Sequence, residues 1–89
     1  MSRLAIEGEL SIYRAAELKG QLLASLASDP GFELDLAQVS ELDSAGLQLV
    51  LLAAREARAA GREFGITGRS PQVTEVLRLC GLEAALCKD

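Results

Sequence analysis

Leu42-Asp43-Ser44-Ala45-Gly46-Leu47-Gln48-Leu49 carries the chain from the end of a short apolar run straight into a long apolar helix. Asp and Ser are residue types that satisfy the free backbone N–H groups of a helix start, and neither is followed three positions later by the Glu or Gln of a capping box. Asp43 therefore reads as the cap and Ser44 as the first helical residue, which puts a hydroxyl at a helix N-terminus. Gly46 falls within the first turn, where Ala would be about 1 kcal/mol better in a helix interior. Something other than helix propensity favours bare backbone there. Either the helix packs closely on a strand of its own chain, or another surface approaches.

On both sides of this junction, helix and strand patterns alternate. Downstream, the helix runs from Ser44 to about Ala60 and stops at Gly61, a residue type that tolerates the left-handed conformation past a helix end. Phe64-Gly65-Ile66-Thr67 reads as a strand, and Ser70-Pro71 starts another helix with a hydroxyl cap and Pro at the first position. Val73, Val76 and Leu77 give that helix its apolar face and Gly81 its stop; residues 84–87 form a last short helix or an edge strand. Upstream, Phe32-Glu33-Leu34-Asp35-Leu36 alternates as a strand, with Ala37 to Leu42 as a connecting loop. Before it, Asp29-Pro30-Gly31 makes a turn. A helix capped by Ser11 and ending near Ser28 carries Leu18, Leu22 and Leu26 on one stripe. Arg3 to Glu7 is the opening strand, closed by a turn at Gly8.

Alternating strands and helices with short connections predict an α/β fold: a mostly parallel or mixed sheet of about four strands with helices packed against it. The whole chain, 89 residues, is expected to form one domain with a single core.

Composition narrows the function classes. The formal charge is −4, and the basic residues are scattered without a patch or interleaved aromatics, so direct nucleic-acid binding is not expected. The N-terminus lacks the apolar core of a signal peptide, and Arg55, Glu56 and Arg58 interrupt the longest apolar run. These features predict a cytoplasmic protein without membrane insertion. The sequence contains no His and only two cysteines, Cys80 and Cys87. No metal site, no cofactor, no disulfide framework and no Ser-His or Cys-His nucleophile is expected, which argues against an enzyme and leaves no catalytic residues to assign.

Stepping the helix from Ser44 at about 100° per residue places Leu47, Val50, Ala54 and Ala57 on a core arc and Ser44, Gln48, Arg55 and Arg58 on a polar arc. Leu49 and Leu52 fall on a flank with Ala45 and Glu56. Either a neighbouring helix covers that flank, or it is an apolar contact patch beside Ser44. The carboxylate pairs Glu7/Glu9 and Glu33/Asp35 read as solvated strand positions. Arg69 and Ser70, in Gly68-Arg69-Ser70-Pro71, are a possible anion-binding pair at a helix start.

The order of elements, with Gly8-Glu9-Leu10, Leu34-Asp35-Leu36, Asp43-Ser44-Ala45-Gly46-Leu47 and Leu79-Cys80-Gly81-Leu82, resembles the STAS family, shared by anti-sigma-factor antagonists and sulfate transporters. The chain shows one strand before its first helix where longer members often have two, and it stops soon after Gly81-Leu82 where they usually continue. The resemblance implies a regulatory partner-binding protein switched by phosphorylation at Ser44. It also implies a protein partner, an anti-sigma factor with serine-kinase activity or a phosphatase, docking around Asp43, Ser44, Ala45, Gly46, Leu49 and Leu52. Other roles within the family are a constitutive subunit of a lipid-transporting ABC system, a chemotaxis-associated module, or a small-ligand or nucleotide binder. The expected state is a monomer or weak dimer.

Overall fold

The computed structural model describes residues 2–28 and 31–87. Its elements are β1 (Ser2–Leu10), α1 (Ala15–Ser28), β2 (Gly31–Leu42), α2 (Ser44–Ala59), β3 (Glu63–Arg69), α3 (Pro71–Leu79) and α4 (Glu83–Leu86). The three strands form a parallel sheet in the order β1-β2-β3. Right-handed crossovers that step across the sheet in one direction put their helices on the same face. Accordingly α1 and α2 pack against one another, while α3 lies chiefly on β2.

The covered face is built from the alternating residues of β2. Phe32, Leu34 and Leu36 are all buried, as are Ile6 and Leu10 of β1 and Ile66 of β3. Parallel pairing sets Leu4 beside Leu34 and Phe32 beside Phe64, whose rings are 5.9 Å apart. Leu18, Leu22 and Leu26 of α1 meet this layer as the expected stripe, and Val73 and Leu77 of α3 are equally buried. On the other face of β2, Asp35 pairs with Arg3 at 3.1 Å and accepts from the Ala37 N–H at 3.0 Å.

Several expected boundaries move. The sheet holds three strands rather than about four; among the described residues the extra contact is a single bridge from Cys87 to Ile66, just after α4. The segment expected as a loop, Ala37 to Leu42, continues β2, because Gln38, Val39, Glu41 and Leu42 still pair with β1 across two register shifts. Gly8 does not end β1. It adopts φ +81 inside the strand and pairs with Val39, so its left-handed conformation serves an irregularity in the ladder. Ser11 is buried, and the helix after it begins only at Ala15, following a turn at residues 12–14. Asp29 and Pro30 of the expected turn lie outside the described residues.

Candidate functional site

Asp43 occupies the cap position of α2 with extended backbone, and the Gly46 N–H donates to its Oδ1 at 2.8 Å. Its second oxygen accepts from the Ile12 N–H at 3.1 Å. The carboxylate therefore ties the first turn of α2 to the β1–α1 turn. These backbone donors, Gly46 first and Ile12 second, hold its pKa below the usual carboxylate range. With the cap supplied by Asp43, Ser44 is the first residue of α2 and is exposed.

Gly46 has a structural cause. It is buried, and a Cβ added there would lie 2.8 Å from the Leu10 carbonyl carbon, 3.0 Å from Leu42 Cδ1, and inside contact distance of the Leu10 oxygen. The bare backbone lets α2 press on the end of β1. It is not part of an open docking surface.

Leu49 is corrected in the same way. It is 6% exposed and belongs to the core, so α1 covers the flank that the helical projection left open. Leu52 is half-buried and borders shallow seams on both sides of α2, one of them facing Ala15, Ala16 and Lys19 of α1. Leu47, expected in the core, is half-buried and packs at its edge; Val50, Ala54 and Ala57 are buried as expected. Of the expected docking residues, Asp43 and Ser44 stand exposed, Ala45 and Leu52 are half-buried, and Gly46 and Leu49 lie inside.

Around Asp43 the structure also gathers exposed apolar residues from outside α2. Ile12 and Tyr13 are 65% and 89% exposed in the turn that Asp43 holds. Leu79, 75% exposed at the end of α3, borders a shallow groove with Leu42, Asp43 and Val76. A signal for the first two was present. Neither falls on the Leu18-Leu22-Leu26 stripe, and Tyr13 is the only Tyr in the chain.

The possible anion pair is engaged elsewhere. Ser70 is buried and caps α3, accepting from the Val73 N–H at 3.3 Å. Arg69 pairs with Glu83 at 2.9 Å and reaches Cys87 Sγ at 3.5 Å. The structure thus directs the two side chains to separate partners within the chain. Cys80 is exposed, Cys87 half-buried, and neither is in a disulfide. Among the described residues no group of three or more His, Cys, Asp or Glu is placed to hold a metal ion, and no helix is long and apolar enough to cross a membrane.

The family model described as "Mlab, STAS domain" matches residues 1–88. An anti-sigma factor antagonist from Mycobacterium paratuberculosis is similar with a TM-score of 0.84 and 26% identity, over 94% of this chain and 72% of that one. The anti-sigma factor antagonist SpoIIAA in its unphosphorylated form shares the fold with a TM-score of 0.81 at 21% identity, over 99% of this chain and 79% of that one. A sulfate transporter family protein from Wolinella succinogenes does so with a TM-score of 0.79 at 22% identity, over 96% and 70% respectively.

Proposed function

The chain belongs to the STAS domain family, and from that premise we propose that it is a non-enzymatic partner-binding protein whose docking surface surrounds Ser44 and is switched by phosphorylation of that serine. The observation that carries this reading is the division of labour at the start of α2. Asp43 supplies the cap, leaving Ser44 exposed, and its second oxygen holds the turn that carries the exposed apolar residues Ile12 and Tyr13. Exposed apolar residues in a turn tied to the residue before an exposed hydroxyl fit a protein interface better than a small-molecule site, which would be concave and enclosed.

Phosphorylation would add about −1.5 to −2 charge at the N-terminus of a helix, where the dipole and the first N–H groups favour an anion. The fold is therefore expected to survive the modification. An interface covering Ser44 is not, because the new charge lies next to Asp43 and must be desolvated when a partner docks. The partner is a protein, an anti-sigma factor with serine-kinase activity or a phosphatase. Similarity to an anti-sigma factor antagonist at 26% identity supports that class of partner.

The test is capture of partners from the native host with wild type, Ser44→Ala and Ser44→Asp, with mass spectrometry of Ser44 and melting of each variant alongside. Ser44→Ala is expected to hold the partner and to resist modification, and Ser44→Asp to hold it less well. Equal binding by wild type, both variants and the phosphorylated chain would refute the switch and leave a constitutive subunit.

A further inference from the structure

One stripe of α2 contributes no fully buried residue. Ser44, Gln48, Leu51, Arg55 and Arg58 follow one another at intervals of four, three, four and three residues, which keeps them within an arc of roughly 80° over about 21 Å of helix. From Gln48 to Arg58 the stripe forms one wall of a groove of about 400 Å³ whose other wall is α4 and the residue before it, with Ser44 lying beyond its end. Leu51 and Leu52 on one side and Leu82 and Leu86 on the other give it an apolar floor, with Arg55 and Arg58 along the rim. Both arginines are exposed, and Arg58 donates to the Ala85 carbonyl at 2.7 Å and so helps to seat α4. This basic edge belongs to a chain of net charge −4.

We propose that the groove between α2 and α4 is the docking site for an acidic amphipathic helix of a protein partner. The inference rests on the reading of the chain as a partner-binding protein, and not on modification of Ser44. Shape and charge select this occupant. An elongated apolar floor takes the apolar stripe of a helix laid along it, and two guanidinium groups one turn apart complement carboxylates spaced one turn apart on that helix. Ser44 stands at one end of the same stripe. A phosphate there would meet an acidic occupant with like charge, whereas a basic occupant would be drawn in.

The probe is a synthetic amphipathic helix with leucines on one face and glutamates one turn apart along its edge, compared with the same peptide carrying Lys at every Glu. Binding to the whole chain is read by fluorescence anisotropy and by backbone-amide chemical shifts. The glutamate peptide is expected to bind, with shifts centred on Gln48, Leu51, Arg55 and Ala85, and the lysine peptide to bind about tenfold more weakly. Arg55→Glu should reverse that order while its melting curve matches wild type, a reversal that a merely structural arginine would not give. Equal binding of the two peptides, shifts confined to another face, or an unchanged order in Arg55→Glu would overturn the proposal. So would phosphatidylglycerol vesicles that bind wild type but not Arg55→Glu while the peptides fail to bind, since the groove would then read a lipid surface. With the native partner, loss of binding in Arg55→Glu but not in Ser44→Asp supports the groove and refutes the switch; the converse does the opposite.

Discussion

Two glycines of this chain should respond to the same substitution with opposite signs. Gly46→Ala adds a methyl group where the nearest obstacle is the backbone of Leu10, with Leu42 Cδ1 at 3.0 Å beside it. Strand backbone in a paired sheet cannot swing aside as a long side chain does, so α2 or β1 must move. Overpacking of this kind costs about 1–3 kcal/mol, and the displacement also disturbs the Asp43 N–H bond to the Leu10 carbonyl. With immobile backbone as the obstacle the cost falls at the upper end of that range, about 2–3 kcal/mol; a gain in helix propensity of at most about 1 kcal/mol stands against it and leaves a net loss of roughly 1–2 kcal/mol. In a domain of this size each kcal/mol moves Tm by about 4–8 °C, so a fall of roughly 4–16 °C is expected. Gly20→Ala is the control. Gly20 lies within α1 with nothing inside 4 Å of an added Cβ. There the methyl group should raise stability by about 0.5–1 kcal/mol, through propensity and a less free unfolded chain. Far-UV circular dichroism in a urea series measures both. A Gly46→Ala protein as stable as wild type would refute the claim that α2 is pressed onto β1, and a destabilised Gly20→Ala would undo the argument from space.

Leu49→Asp places a carboxylate in the core and is expected to lose about 3 kcal/mol or more, whereas half-buried Leu52→Asp should lose clearly less; equal losses in urea melts would contradict the burial assigned to them. Asp43 has a folded-state pKa below its unfolded value, so its contribution is full above the unfolded pKa and fades as pH falls through the folded one. The stability gap between wild type and Asp43→Asn should therefore be widest at neutral pH and close in acid below about pH 4; a gap independent of pH would show that the bonds to Gly46 and Ile12 do not depend on charge. Ser44→Ala should melt within about 0.5 kcal/mol of wild type, because Asp43 keeps the cap. A loss as large as that of Asp43→Ala would assign the cap to Ser44 instead.

The fold was legible where local chemistry and tertiary context agree. Ser70 with Pro71, Asp43 with Ser44, and the alternation of Phe32, Leu34 and Leu36 mark element starts and faces that the structure keeps. It was illegible where the sheet absorbs irregularity. Gly8 suggests a turn because its conformation is left-handed, yet pairing with Val39 carries it inside β1. Ala37 and Gln38 are both exposed and break the alternation of β2, so the strand reads as finished; the ladder to β1 resumes after a register shift and carries it to Leu42. Leu49 shows a different limit. A helical projection reports directions within one helix and contains nothing about α1, which lies against that flank and turns it into core.

The site divides along the same line. Ser44 could be found because every residue that makes it a helix start is its neighbour in sequence. The surface around it could not, since Ile12 and Tyr13 precede Asp43 by about thirty positions and reach it only through the parallel pairing of β1 with β2, which brings Leu10 beside Leu42. Asp43 makes this meeting specific: one oxygen holds the helix that presents Ser44, and the other holds the turn that presents Ile12 and Tyr13. A carboxylate has acceptor sites enough for both tasks without a second residue. The parallel sheet thus supplies the proximity, and a single ionised side chain ties the helix start that carries the hydroxyl to the turn that carries the exposed apolar residues.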